Sequence, residues 1–238
     1  MSTWLEVVLL TLMAGAAMPI GAAIAMVERI HPQWLENELR HTVIAFGGGA
    51  LLSAVALVLV PEGSRDLHPA GVAVCFAGGG VAFMALDLLL FKINTPATQL
   101  AAMLSDFIPE AMALGASFAL GENTGPLLAG LIALQNLPEG FNSYRELVDS
   151  TDWQGRRLVA AFAAMALVGP AAGMVGYHLL SDSPRVVSGV MLFAAGGILY
   201  LTFQDIAPQA RLENRWAPSL GAVAGFLLGL IGEMLVSA

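Results

Sequence analysis

The stretches SDFIPE (105–110) and QNLPEG (135–140) each place a proline, a glutamate and further polar side chains inside a long apolar run. A charged side chain at the centre of a bilayer costs about 2.5–3.5 kcal/mol on insertion scales. Asp106, Glu110 and Glu139 therefore need water, protons or a bound cation as partners, because no lysine or arginine lies within the core of either apolar run.

The composition of the whole chain predicts a membrane protein. Of the 238 residues, 57% are hydrophobic and only 12% are charged, whereas soluble domains carry roughly 25% charged residues. Lipid must therefore cover much of the surface. The net charge of −8 comes without any basic patch, so no nucleic-acid partner is expected.

Eight segments are long and apolar enough to span a membrane, since a spanning helix needs about 20 mostly apolar residues. The loops between them are short, so residues 1–238 are predicted to form a single all-α transmembrane domain. The predicted spans are 5–27, 41–61, 70–92, 98–120, 125–145, 158–180, 184–207 and 217–237.

The distribution of basic residues predicts the orientation, because cytoplasmic loops carry an excess of lysine and arginine. The loops on one side hold only Arg65 and Arg185. With an even number of helices, this bias puts both termini outside the cytoplasm. The loops after the first, third, fifth and seventh spans hold Arg29, Arg40, Lys92, Arg145, Arg156, Arg157, Arg211 and Arg215.

The spacing of the polar residues predicts that they share a site. Asp106 and Glu110 are four residues apart and lie on one face of a helix, and Gln135 and Glu139 repeat this spacing. Two facing helices would bring four oxygen-bearing side chains together. A structural pairing near the helix ends would explain one such pattern, but two copies in neighbouring helices favour an ion site.

A proline lies within each polar pair. Pro109 leaves the carbonyl of Ser105 without its helical partner, and Pro138 does the same for Leu134. Irregular backbone at membrane depth is tolerated where it lines a hydrated cavity. A kink beside a carboxylate is therefore typical of an ion site within a pathway.

These features resemble the ZIP (Zrt/Irt-like) metal transporter family. In that family the fourth helix typically reads H-N-x-P-E-G, and the fifth reads H-E-x-P-E-G or Q-D-x-P-E-G. The resemblance is specific in the fourth and fifth segments and loose in the rest of segments 2 to 8. It implies a ZIP-like bundle with a primary metal site formed by Asp106, Glu110, Gln135 and Glu139.

The chain departs from the family pattern at several positions. Asp106 and Phe107 replace the His and Asn of the fourth helix, and Asn136 replaces the acid of the fifth. Gly169 stands before Pro170, where family members often have an acid. The resemblance therefore implies that the primary site is kept and that most of a secondary metal site is lost.

The resemblance also implies weaker positions along an ion pathway. Gln204 and Asp205 match a His-Glu pair on the exit side, and Asp66 and Glu233 lie where outer acidic residues are found. Asn136 is a further weak candidate. Taken alone, each of these residues could equally be a solvated helix end.

The expected function is transport of a divalent metal ion by alternating access in a plasma or bacterial inner membrane. The oxygen-only ligand set favours harder ions such as Mn²⁺ or Fe²⁺, whereas the family favours Zn²⁺, and carboxylates also bind Cd²⁺. No prosthetic group is expected. The predicted partners are the lipid bilayer and the metal ion, and the glycine-rich faces allow a homodimer.

Two enzyme classes fit the sequence poorly. A metalloprotease would need histidine ligands such as H-E-x-x-H, and no segment core contains histidine. An intramembrane aspartyl hydrolase could pair Asp106 with Asp205, but neither has the surrounding Gly-x-Gly-Asp pattern. The alternative that stays open is a ZIP-fold homologue that has lost zinc transport and carries protons or another solute.

Overall fold

A computed structural model describes residues 2–28, 33–93, 96–119, 124–180, 183–212 and 215–237, and these ranges contain helices but no strand. Two short π-helical turns, Ala54–Leu59 and Thr202–Ile206, interrupt otherwise continuous helices. The α-helices are α1 (Thr3–Val27), α2 (Gln33–Ser53), α3 (Val60–Gly63), α4 (Pro69–Ile93), α5 (Pro96–Ala119), α6 (Gly125–Ser150), α7 (Gly155–Ala166), α8 (Val168–Leu180), α9 (Pro184–Leu201), α10 (Ala207–Ala210) and α11 (Ala217–Val236).

Six helical stretches are long and apolar enough to cross a membrane, and they match six of the eight predicted spans. The predicted spans 98–120 and 125–145 form α5 and α6, which are not among the six, since polar side chains interrupt their apolar character; residue 120 lies outside the described ranges. The six stretches are Thr3–Val27, Asn37–Gly63, Pro69–Ile93, Gly155–His178, Pro184–Ala210 and Ala217–Val236.

Two helices extend beyond their predicted membrane spans because polar residues continue the helix past the apolar run. The second helix begins at Gln33 rather than near residue 41. The helix that carries QNLPEG continues to Ser150 rather than ending near residue 145. Hydropathy marks where a helix leaves the apolar layer, whereas hydrogen bonding decides where it ends.

The predicted span 158–180 is broken in the middle. Leu167 separates α7 from α8, and its N–H donates to the carbonyls of Ala164 and Met165. Pro170 has no N–H to donate to the carbonyl of Ala166, so the helix loses one backbone hydrogen bond beside the break. Pro19, Pro109 and Pro138 lie within continuous helices, so the proline contributes to this break but does not explain it alone.

The helices pack as four close pairs: α1 with α6, α2 with α11, α4 with α9, and α5 with α8. Glycines bring the two backbones of a pair into direct contact, as small residues commonly do in membrane helices. A Cβ on Gly21 would overlap the carbonyl oxygen of Leu137, and one on Gly140 would overlap that of Met18. The other three pairs show the same contact at Gly49 with Ala222, Gly79 with Phe193, and Gly115 with Gly173.

The four pairs form two groups of helices. The first group contains α1, α5, α6, α7 and α8, with α1 contacting all the others. The second group contains α2, α3, α4, α9, α10 and α11. Contacts between the groups run mainly from α2 to α6 and from α5 to α9, and at one of them Gly47 faces the ring of Pro138.

The close backbone contacts predict a difference between two glycines. Gly140→Ala should lower the stability by about 1–3 kcal/mol because the new methyl group would overlap backbone atoms of α1. Gly78→Ala is the matched control, since a Cβ at this exposed glycine meets no atom within 4 Å. Thermal unfolding of the purified proteins in one detergent compares them, and equal melting temperatures would contradict the packing described above.

Candidate functional site

A cavity of about 540 Å³ lies between the two helix groups. Its wall is formed by α2, α4 and α9 of the second group and by α5 and α6 of the first. Both polar stretches of the sequence face it, and the four predicted primary residues are all on its wall: Asp106, Glu110, Gln135 and Glu139.

The cavity extends toward one end of the bundle, where α4, α6 and α10 finish. Phe91, Ser150 and Gln209 line it there, close to the last residues of these helices. We call this the basic end, because Lys92 and Arg211 lie beside it. The deeper part of the cavity wall is formed by Asp106, Glu110, Gln135 and Glu139.

Six acidic side chains line the cavity, and its described lining residues include no lysine or arginine. Their exposure increases toward the basic end. Glu110 is only 3% exposed, and Asp106 and Glu139 are half-buried. Glu146 and Asp205, the two acids nearest the mouth of the cavity, are exposed. The six are Asp87, Asp106, Glu110, Glu139, Glu146 and Asp205.

Glu110 and Gln135 are in direct contact across the two helices. The Gln135 Nε2 atom donates to both carboxylate oxygens of Glu110, at 3.4 Å and 3.2 Å. No three His, Cys, Asp or Glu side chains among the described residues come close enough to hold a metal ion. The structure therefore gathers the predicted ligands on one cavity wall without closing them into a coordination shell.

Two of the weaker predicted positions do not face the cavity. Asn136 is fully buried and turns toward α1, where its Nδ2 atom donates to the carbonyl of Ala14 at 3.0 Å. Gln204 is exposed and is not part of the cavity wall, whereas the adjacent Asp205 is. In each pair of adjacent candidates, only one residue lines the cavity: Gln135 but not Asn136, and Asp205 but not Gln204.

Asp205 lies in the π-helical turn that follows α9. Pro208 cannot donate to the carbonyl four residues before it, and the N–H of Ala207 bonds instead to the carbonyl of Thr202, five residues back. Such π turns are frequent at functional sites, because the extra residue redirects the side chains around it. The other π turn likewise ends just before a proline, Pro61.

The predicted outer residues lie at the other end of the bundle, away from the cavity. Asp66 is exposed and shares a cleft with Arg65 and Arg185. Glu233 is half-buried, and its Oε2 atom is buried without a hydrogen-bond partner among the described residues. Thr124 and Ser188, also near this end, have buried hydroxyls in the same situation.

Sequence reasoning missed several cavity residues on α6. Asn142, Ser143 and Glu146 line the wall beyond Glu139. They follow Glu139 at spacings of three, four and seven residues, which is the period of one helix face. Extending that period past the motif would have found them.

Asp87 of α4 also lines the cavity, and it accepts a hydrogen bond of 3.0 Å from the Tyr200 hydroxyl. Its role was left open by the sequence because it lies near the end of its apolar segment. The structure brings it to the same wall as Asp205, which is more than a hundred residues later in the chain.

Phe107 explains one departure from the family motif in physical terms. Its ring is fully buried and fills the space beside Gly15 of α1 and Gly169 of α8, where an added Cβ would meet the ring. An apolar ring in this position packs the first group together. It offers no ligand atom for a second metal ion.

The fold and the cavity define a multi-pass α-helical membrane protein with an acid-lined cavity between two groups of helices. No family model matches the chain. Several curated relatives nevertheless match the chain in sequence. The zinc transporter ZupT of Chlorobium phaeovibrioides is 25% identical over 270 residues, covering 96% of this chain and 97% of the relative. ZupT of Chlorobium limicola is 25% identical over 276 residues, covering 100% of this chain and 98% of the relative.

The human zinc transporter SLC39A7 is 30% identical over 147 residues, which cover 58% of this chain. The match spans only 31% of the length of that relative. The relatives are named as transporters rather than enzymes. These similarities support the predicted resemblance to the ZIP family.

The cavity predicts which buried serines water can reach. The chain has a single cysteine, Cys75, so Cys75→Ser provides a background for one new thiol at a time. In this background, Ser143→Cys on the cavity wall should react with a small water-soluble thiol reagent at least about tenfold faster than Ser117→Cys.

Ser143 and Ser117 are a matched pair, since they are 6% and 0% exposed. The Ser117 hydroxyl donates to the carbonyl of Leu114 within α5, away from the cavity. Equal labelling rates, followed by mass spectrometry, would mean that water does not fill the cavity.

Proposed function

We propose that the chain transports divalent metal cations across a membrane through this cavity. The observation that carries the proposal is the wall of six acidic side chains set in an apolar bundle. Glu146, near the mouth, has Arg40 at 3.8 Å, and the deeper acids Asp106, Glu110 and Glu139 have no lysine or arginine among the described lining residues. Carboxylates at membrane depth are costly unless a cation, protons or water compensate them. A mobile divalent cation compensates two of these charges at once.

The orientation follows from the basic residues. We infer that α5 and α6 also cross the membrane, which gives eight crossings with both termini outside the cytoplasm. The basic end then faces the cytoplasm, as the positive-inside rule requires. With this orientation the cavity is open to the cytoplasm and closed toward the outside.

Alternating access fits the division into two helix groups. Within each group, backbones touch at glycines, so relative movement there would cause overlap. Between the groups, side chains such as Pro138 against Gly47 form the contact, and such contacts can be exchanged. Rocking of one group against the other would expose the site first to one side and then to the other.

The donor set restricts the cargo to a class of ion. Asp106, Glu110, Gln135 and Glu139 offer only oxygen atoms, which bind Mn²⁺ and Fe²⁺ well and also accept Zn²⁺ and Cd²⁺. The named relatives are zinc transporters. Zinc is therefore the first ion to test. The oxygen ligands make Mn²⁺ and Fe²⁺ the next ions to test.

Removal of one carboxylate should stop transport. Glu139→Gln keeps the size of the side chain but removes its charge, so a cation loses one of its ligands in the cavity. Uptake of Zn²⁺, Mn²⁺, Fe²⁺ and Cd²⁺ into proteoliposomes should fall to the level of empty liposomes for each ion that the wild type carries.

Asp152→Asn is the matched control, because this exposed acid lies in the loop after α6 and is not part of the cavity wall. It should transport like the wild type. Normal flux in Glu139→Gln would refute the site. A folded, inserted wild type that carries none of the four ions would favour the alternative of a homologue that moves protons or another solute.

Transport should depend on pH, because a carboxylate binds a metal only when it is deprotonated. Lowering the pH on the side from which the ion binds should raise the KM for the metal, since protons compete for Asp106, Glu110 and Glu139. Initial uptake rates over a range of metal concentrations at several pH values measure this. A KM that does not change with pH would argue against carboxylate ligands.

A further inference from the structure

A chain of side-chain hydrogen bonds runs from α1 to the cavity through two adjacent residues of α6. Asn136 donates from Nδ2 to the carbonyl oxygen of Ala14 at 3.0 Å. Asn136 Oδ1 accepts from Gln135 Nε2 at 2.6 Å. Gln135 Nε2 in turn donates to the Glu110 carboxylate. Asn136 and Gln135 are 0% and 6% exposed, so little water reaches these bonds.

The carbonyl of Ala14 fixes the direction of the whole chain. A backbone carbonyl can only accept, so Asn136 must turn its NH₂ group toward α1. The side-chain oxygen of Asn136 then faces Gln135, which must donate a hydrogen bond to it from its own NH₂ group. Rotating either amide by half a turn would bring two acceptor oxygens together in a buried place. The orientation of Gln135 is therefore set from outside the cavity.

This orientation decides which atom of Gln135 faces the cavity. Both hydrogens of its NH₂ group are occupied, one by Asn136 and one by Glu110. The Oε1 atom accepts no hydrogen bond from the described residues. It is also not among the buried side-chain atoms of the described residues that lack a hydrogen-bond partner. Oε1 is thus open to the cavity that Gln135 lines.

We propose that Asn136 is a positioning residue that holds the Gln135 oxygen toward the transported cation. The proposal rests on the proposed function, because it assigns Gln135 as a neutral oxygen ligand beside Glu110. Without Asn136, only the Glu110 carboxylate holds the Gln135 amide. That carboxylate is itself a proposed metal ligand, so the amide is less firmly held and can present its NH₂ group, whose hydrogens repel a cation. Asn136 therefore acts on the ion through its neighbour and does not touch it.

The identity of residue 136 matters for this role. An aspartate, the acid that the family motif has at this position, would accept from Gln135 but has no hydrogen to donate to Ala14. Asparagine supplies a donor on one side and an acceptor on the other. The substitution that removes a ligand of a second metal site thereby gives the first site a fixed neutral oxygen.

A double-mutant cycle tests the proposal. Equilibrium binding of Cd²⁺ to the purified protein is measured for wild type, Asn136→Leu, Gln135→Ala and the double variant. Asn136→Leu keeps the branched shape of the side chain, with two methyl groups in place of the amide oxygen and nitrogen, but breaks the chain of hydrogen bonds. It should weaken binding by about 3- to 10-fold, the usual range for one lost hydrogen bond.

The double variant should bind Cd²⁺ no more weakly than Gln135→Ala alone, because Asn136 has nothing left to orient. A purely structural role would instead give two losses that multiply, and that result would overturn the proposal. Asn136→Ala completes the same cycle if Asn136→Leu does not fold. Ser117→Ala, which loses a buried hydrogen bond far from the cavity, should bind like the wild type.

The cycle separates the two proposals. A folded wild type that neither binds Cd²⁺ nor transports any of the four ions would refute the proposed function, and the role of Asn136 with it. A wild type that binds and transports, with losses that multiply in the cycle, would refute only the positioning role.

Discussion

The rest of the structure depends on the cost of burying carboxylates. Six acids share one cavity wall. Arg40 lies 3.8 Å from one of them, Glu146, and an apolar interior would not tolerate the others dry. Water must reach them, so the helices around them cannot pack fully against each other. The cavity between α2, α4 and α9 on one side and α5 and α6 on the other is the gap that this hydration requires.

A bundle with such a gap must hold together elsewhere. In a membrane there is little hydrophobic driving force between helices, so close packing has to supply the stability. Glycine does this within each of the four pairs, where backbone meets backbone. Phe107 adds a buried aromatic ring between α5, α1 and α8. Each group is thus cohesive without using the surface that faces the cavity.

The sequence predicted the helices and the shared wall but not its details. The four-residue spacings within SDFIPE and QNLPEG put these side chains on one face of each helix, because helix geometry is regular, and the structure has all four on one cavity wall. Asn136 was harder to place, since it is one residue, or about 100°, around the helix from Gln135. Whether it faces the gap or α1 depends on tertiary packing. The helix break at Leu167 was missed because hydropathy does not register a lost hydrogen bond.

The end of the bundle away from the cavity holds a different kind of polar group. Thr124, Ser188 and Glu233 each bury an oxygen atom without a hydrogen-bond partner among the described residues. Each such atom costs about 1–3 kcal/mol relative to a hydrated one. Admitting water at that end would recover this energy and offset part of the packing lost there. In the proposed alternating-access cycle, opening this end would therefore cost less free energy than its apolar contacts alone predict.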